Sequence, residues 1–278
     1  MTEVVKQAEP QEPVWKAPFV RFVTYLEDAE RLVQLAYTGA KAILSIHKLF
    51  DLVEEDGDSS DERVKRERQV TLAQTEISSD FKLLHGHSIV GIWGALESLI
   101  EDVVECWMAF RPEVLMHQNF VKIRVPLAEF LSLSDEQRVR LLVSEVQRDL
   151  KLDLRSGVTK FEKLLDSVGL GGPVDPRIRD ALFEAQNIRN VLAHRAGIVD
   201  QRFVDSCPSF GLSEGDQMVI GKKLFRRMSD AMGLYSIVVL NRVFVAVGRP
   251  TQHPNERKEF EGATRFGYES KGELSDAS

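Results

Sequence analysis

Apolar positions recur along this chain mostly three and four residues apart, the interval that places them on one face of a helix. Phe22, Leu26, Leu32, Leu35 and Ala36 follow it and predict a first helix over residues 19–53. An acidic stretch with Gly57 and two serines, 54–61, reads as a loop. A second, long helix is expected over 62–110. Its first half is charged; its second carries Ile89, Ile92, Trp93, Leu96, Leu99, Ile100, Val103 and Trp107, dense enough for a central core helix. Pro112 ends it.

Residues 113–133 read as irregular, with a weak strand-like patch at 120–125. Helical spacing returns over 134–150, opened by Ser134, Asp135 and Glu136, and over 158–168. The run Gly169-Leu170-Gly171-Gly172-Pro173 breaks the chain again. Asp175 suits an N-cap and Pro176 the first helical position, and the helix they open stops at Gly197. A last helix is expected from residue 216 or 219 to 247. The pattern as a whole predicts an all-α fold: one helical domain over 18–248 between a polar arm, 1–17, and a polar tail, 249–278, both expected to be disordered.

Composition narrows the function classes. With 43% hydrophobic and 28% charged residues the chain has the make-up of a soluble globular protein. A net charge of -7 argues against a protein that coats nucleic acid, which is usually basic, and leaves room for one local basic groove. Cys106 and Cys207 are far apart and form no CxxC pair, so neither a cysteine zinc site nor an oxidising compartment is indicated. His85 and His87 have a spacing that can ligate a metal, but no further ligands stand nearby, and they read as loop or helix surface. No metal or cofactor is expected. The N-terminus, with Glu3, Lys6 and Glu9, lacks the apolar core of a signal peptide. The most apolar run, 234–247, is too short to span a bilayer and carries Asn241 and Arg242. A cytoplasmic protein without membrane contact is expected.

The chemistry-bearing stretch is Asn187-Ile188-Arg189-Asn190-Val191-Leu192-Ala193-His194. Arginine is a fixed cation able to grip two oxygens of a phosphate, and histidine is the side chain that most readily exchanges protons near neutral pH. Together they suit metal-free work on a phosphodiester. On a wheel at 100° per residue, Ile178, Ala181, Ala185, Ile188 and Leu192 form the core stripe. Asn187, Asn190 and His194 fall almost opposite, with Phe183 on the His194 side and Arg189 on the flank. A histidine facing water holds no substrate, so a second surface is needed, and a two-fold copy of the chain supplies one along with a second Arg189 and His194. A homodimer with a composite cleft is therefore expected.

An arginine followed five to seven residues later by histidine arises about once by chance in such a chain. Arg111 and His117 are such a decoy, set aside because Pro112 breaks the helix between them. Requiring asparagine after the arginine lowers the chance rate to roughly a few in a hundred. Arg189-Asn190-Val191-Leu192-Ala193-His194 resembles the RNxxxH signature of HEPN-superfamily ribonucleases, in the branch called RiboL-PSP-like. The stretch from His87 to Trp107 is similar to the earlier core helix of those proteins, and the segment from His194 through Asp216 to their link into the final helix.

The resemblance implies a HEPN-like antiparallel helical bundle with helical insertions. It implies a dimeric, metal-independent endoribonuclease in which the 2′-hydroxyl attacks the adjacent phosphate, with Arg189 as phosphate clamp, His194 as general acid-base and Asn190 orienting His194. It further implies a supporting acid on the earlier helix, for which Glu97 and Glu101 are the candidates, and a role in toxin–antitoxin or anti-phage systems with an antitoxin or defence partner. Lys222, Lys223, Arg226 and Arg227 are candidate RNA contacts beside the cleft, and Arg63, Lys65, Arg66 and Arg68 a second basic run whose plainest reading is a solvated helix start. The alternative from another class is a catalytically inactive HEPN-like module that binds a protein partner or a nucleotide; Arg189 would then be a salt-bridge residue and His194 a surface histidine.

Overall fold

The computed structural model describes residues 15–52, 60–151 and 157–251. Among them the fold is all-α, with no strand: α1 (Lys16–Leu52), α2 (Ser60–Ser78), α3 (Lys82–Phe110), α4 (Gln118–Val121), α5 (Leu127–Ser132), α6 (Asp135–Asp149), α7 (Val158–Ser167), α8 (Pro176–Arg195), α9 (Gln201–Ser206) and α10 (Lys222–Ala246). The expected strand-like patch at 120–125 forms no strand. Its first residues close α4, where Phe120 turns inward and is buried.

α3 is the axis of the molecule, and α1, α6, α7, α8 and α10 all pack on it. Its apolar half meets them on several sides: Ile89, Ile92, Leu96, Ile100 and Val103 are fully buried. Each such side chain taken out of water stabilises the fold by roughly 2 kcal/mol. α8 and α10 also pack on each other, which makes α3, α8 and α10 one three-helix core. α1 approaches α3 closely at Gly91, where a Cβ would stand 2.1 Å from the Tyr25 hydroxyl.

The long helix expected over 62–110 is two helices. Ser78 and Ser79 turn their hydroxyls back onto the carbonyls of Thr75 and Glu76, and Asp80 and Phe81 follow in the left-handed region at φ 51° and 50°. Phe81 is thereby swung into a small apolar cluster with Ala40 and Ala73 that joins α1 to α2. Asp80 acts further away: its carboxylate accepts the backbone N–H of Lys222 at 2.6 Å and caps the start of α10. α10 accordingly begins at Lys222, later than expected from the apolar spacing.

Other expectations shift. The buried stripe of α1 is Phe19, Phe22 and Ala40, with Leu26, Ala29, Val33 and Ala36 packed beside it. Leu32 and Leu35 lie off that stripe at 100° per residue and are 53% and 67% exposed. Residues 15–17, expected in the arm, belong to the folded unit. Trp15 is buried, meets Phe244 edge-on at a centroid distance of 5.5 Å, and carries the Arg249 guanidinium over its ring. The rest of the expected arm, and the tail from 252 onward, lie outside the described residues. α10 has 25 residues, because it starts well before the apolar run, and is long and apolar enough to cross a membrane; 61% of its most apolar window is buried against the rest of the fold. His85, expected at the surface, is buried: its Nδ1 lies 3.1 Å from the carbonyl of Ile220 and its ring stacks on Phe225.

Removing the Asp80 carboxylate leaves the first N–H of α10 without its partner. Asp80→Ala is expected to cost about 1 kcal/mol and lower Tm by roughly 2–4 °C. Thermal unfolding followed by circular dichroism measures this, and an unchanged Tm removes the cap from the account.

Candidate active site

Local signals build the helix that carries the motif. Asp175 accepts the N–H of Arg177 at 2.8 Å as N-cap, and Pro176 sits in the first turn. Ile178, Ala181, Ala185 and Ile188 are buried against α3 and α10, and Leu192 is partly buried beside them. The helix ends on Ala196 and Gly197, both in the left-handed region, at φ 51° and 82°. Gly197 suits this position by its φ; a Cβ there would also displace the Gln217 side-chain amide. The Gly197 carbonyl takes the N–H of Met218 at 2.7 Å, so the chain beyond the motif is tied to the segment leading into α10.

Arg189 is the hub of the motif. One guanidinium nitrogen, Nη1, lies 3.2 Å from Asn190 Oδ1 and 3.4 Å from His194 Nε2. The other, Nη2, lies 3.5 Å from Glu97 Oε2 on α3. Arg189 and His194 are five residues apart, so their Cβ directions diverge by about 140° around the helix, and only a side chain as long as arginine closes that gap. A guanidinium can only donate, so this contact is a hydrogen bond in the tautomer of His194 that leaves Nε2 unprotonated. His194 is exposed, whereas Arg189 and Glu97 are 28% and 23% exposed at their side chains. The proton-exchanging group thus faces water and the cation behind it is half sheltered.

The other expected residues separate into those that join this cluster and those that do not. Glu97 joins it. Glu101, one turn on, accepts from Gln147 of α6 at 3.0 Å instead. Asn190 bonds to Arg189, where the sequence reading placed it against His194. Asn187 donates back to the Phe183 carbonyl at 2.9 Å. Arg227 pairs with the buried Glu184 of α8, and Arg226 lines a groove on the α1 side of α10. Lys222 and Lys223 are exposed near the start of α10, with the Lys222 ammonium 5.5 Å from the centre of the Tyr37 ring. Lys222 lines the same groove as Arg226, whereas Arg227 is turned to α8, so the four cations of α10 do not all share one surface. Arg111 of the decoy pair closes the end of α3 and donates to the Ala246 carbonyl, away from His117.

One member of the cluster escaped the sequence reading. Lys160 of α7 places Nζ 3.3 Å from Glu97 Oε1, so Glu97 is held between two cations from two helices. Nothing local to Lys160 marks it: it is one polar position between the buried Val158 and Phe161. Only the packing of α7 against both α3 and α8 brings it to the motif. Among the described residues no three His, Cys, Asp or Glu side chains come close enough to hold a metal ion.

A groove of about 840 Å³ lies elsewhere, between α1 and α10, with Leu26 and Phe225 among its apolar walls and Glu30, Arg31, Arg226 and Asp230 among its polar ones. Oδ2 of Asp230 is buried there without a hydrogen-bond partner. Burial pushes this carboxyl up to about 7; Arg226 opposes the shift and Glu30 adds to it. None of the motif residues lines the groove. Compared with known proteins, the chain matches no family model, no curated protein and no solved structure.

Asp230 makes stability depend on pH. Its acid is weaker folded, near 7, than unfolded, near 3.8, so between those values the native state holds the extra proton and stability falls as pH rises. Asp230→Asn is expected to stabilise the protein at pH 8 by about 1 kcal/mol, less than the full shift implies because solvent screens a group this open, and to have no effect below pH 4. Denaturant midpoints at the two pH values decide it; an equal change at both ends discards the assignment.

Proposed function

We propose that this protein is a HEPN-like, metal-independent endoribonuclease acting as a homodimer. The observation that carries the reading is the convergence of Arg189, Asn190 and His194 with Glu97 in one polar cluster at the edge of the α3–α8 interface. The RNxxxH spacing in a capped late helix, beside an apolar central helix in an all-α fold, supports the same reading. The antiparallel bundle of that superfamily is part of the proposal.

The reaction follows from what these side chains can do. Arg189 holds the non-bridging oxygens of the scissile phosphate and offsets the charge that builds on them in the transition state. Glu97 and Asn190 each occupy part of the guanidinium and fix its plane. His194, with Nε2 unprotonated, accepts the 2′-hydroxyl proton as that oxygen attacks phosphorus. The bond to the 5′-oxygen of the next nucleotide breaks, and the His194 of a second copy, in its protonated form, gives that oxygen a proton. The products are a 2′,3′-cyclic phosphate and a 5′-hydroxyl end.

The exposure of His194 is the reason for the second copy. In open water its charge interactions are screened and its substrate is not held. A two-fold arrangement of the α8 faces encloses the two motifs in one cleft and supplies both the base and the acid. RNA is the substrate, and an antitoxin or other defence partner would restrain the enzyme in a cytoplasmic setting. The competing reading, an inactive module binding a protein or nucleotide, draws on the position of the motif outside the large groove.

Purified protein is expected to cut single-stranded RNA in the presence of EDTA and to leave cyclic phosphate ends. Arg189→Ala and His194→Ala should each lower the rate by about 10²–10³-fold without changing Tm by more than a few degrees. Either substitution should relieve growth arrest on expression. Cleavage that survives both substitutions, or its absence from the wild type with a protein partner retained, turns the assignment to the binding module. Light scattering is expected to give twice the chain mass; a fully active monomer sinks the composite cleft.

A further inference from the structure

We infer that Lys160 is a second phosphate-binding cation of this site, taking the backbone phosphate next to the one held by Arg189. The inference rests on the ribonuclease reading and adds to it a path for the RNA strand. Glu97 presents one carboxylate oxygen to Lys160 at 3.3 Å and the other to Arg189 at 3.5 Å. The two cationic groups are therefore at most about 9 Å apart, given the size of a carboxylate. The Lys160 side chain is 23% exposed, part of it in reach of solvent at the rim of the α3–α7 contact.

The order of contacts on the guanidinium gives the path. Arg189 meets His194 through Nη1 and the Glu97–Lys160 side through Nη2. A strand whose scissile phosphate lies between Arg189 and His194 leaves over the opposite edge of the guanidinium, toward α7 and Lys160. Two cations sharing one carboxylate leave a net positive charge here, and a phosphodiester is the anion that the proposed reaction brings. Lysine suits this position because its ammonium is a mobile point charge able to follow a phosphate, while the planar guanidinium of Arg189 fixes the one that reacts. The basic runs that the sequence offered for the same task fit less well: Arg227 is committed to Glu184, and Arg226 faces the groove beside α1.

The test measures binding of a short single-stranded RNA, 2′-O-methylated throughout so that it cannot be cut, by fluorescence anisotropy across a salt series. Lys160→Gln is expected to weaken binding about 5- to 10-fold and to reduce the slope of log K against log salt by about 0.7, the loss of one phosphate contact on a single strand. Lys160→Arg should restore both. A residue that merely ties α7 to α3 changes Tm and leaves the slope untouched. Because Lys160→Gln leaves Glu97 with one cation fewer, the double variant E97Q/K160Q is compared with E97Q alone. That pair strands no carboxylate between the helices and must show the same drop in slope. Wild-type affinity and slope in both comparisons, alongside weakened binding by Arg189→Ala, overturn the inference and leave the enzyme reading standing. A wild-type protein that neither binds nor cuts RNA overturns both.

Discussion

The apolar stretch of α3 from Ile89 to Trp107 has to be removed from water on several sides at once, and the rest of the molecule is arranged around that need. One neighbouring helix can shelter only a stripe of an α-helix, so Ile89, Ile92, Trp93, Leu96, Leu99, Ile100, Val103 and Trp107 recruit α1, α6, α7, α8 and α10 in turn. Polar groups carried on this helix are then left only the gaps between its neighbours. Glu97 occupies the gap shared by α7 and α8, and Glu101 the one beside α6. The pairing of Glu97 with Arg189 is in this sense a by-product of core packing: once the apolar faces of α3 and α8 are pressed together, their flanking charges meet. That arrangement also explains the half-sheltered state of Arg189, which lies at the edge of a buried interface.

Much of this was readable before any coordinates because the signals were local. Asp175-Pro176 at one end of α8 and Gly197 at the other are features of a few consecutive residues, and so is the Ser134-Asp135-Glu136 start of α6. The core stripe of α8 follows from spacing alone. The failures were of a different kind. The break after Ser78 is made by two serines and an aspartate that are individually unremarkable, and it is fixed by what they reach, the amide of Lys222 more than a hundred residues on. Leu32 and Leu35 recur at nearly helical intervals but stand more than about 60° around the helix from Phe22, on the exposed side. His85 had no sequence mark of its burial, since its partners, Ile220 and Phe225, come from the other end of the chain.

The candidate site divides along the same line. Arg189, Asn190 and His194 were visible because they lie within one turn and a half of one helix. Of the two acids, spacing left Glu97 and Glu101 equivalent, and only the positions of α6, α7 and α8 separate them. Lys160 was invisible for the reason that makes it interesting, being an ordinary lysine on a short helix whose partner is 63 residues away. The basic residues of α10 point the other way: abundant in the sequence, but Arg227 is paired with Glu184, and Lys222 and Arg226 line the groove beside α1. Density of charge along the chain was a poorer guide here than a single ion pair.

The clasp of Trp15 on Phe244, with Arg249 laid over the indole, joins the first and last described turns of the chain. The first and last described turns are consequently held at neighbouring points of the molecule. A tether, a label or a second protein joined at either point is delivered to the same corner. The two ends also lie near enough for a short peptide to bridge them, so the chain is open to circular permutation without disturbing α3.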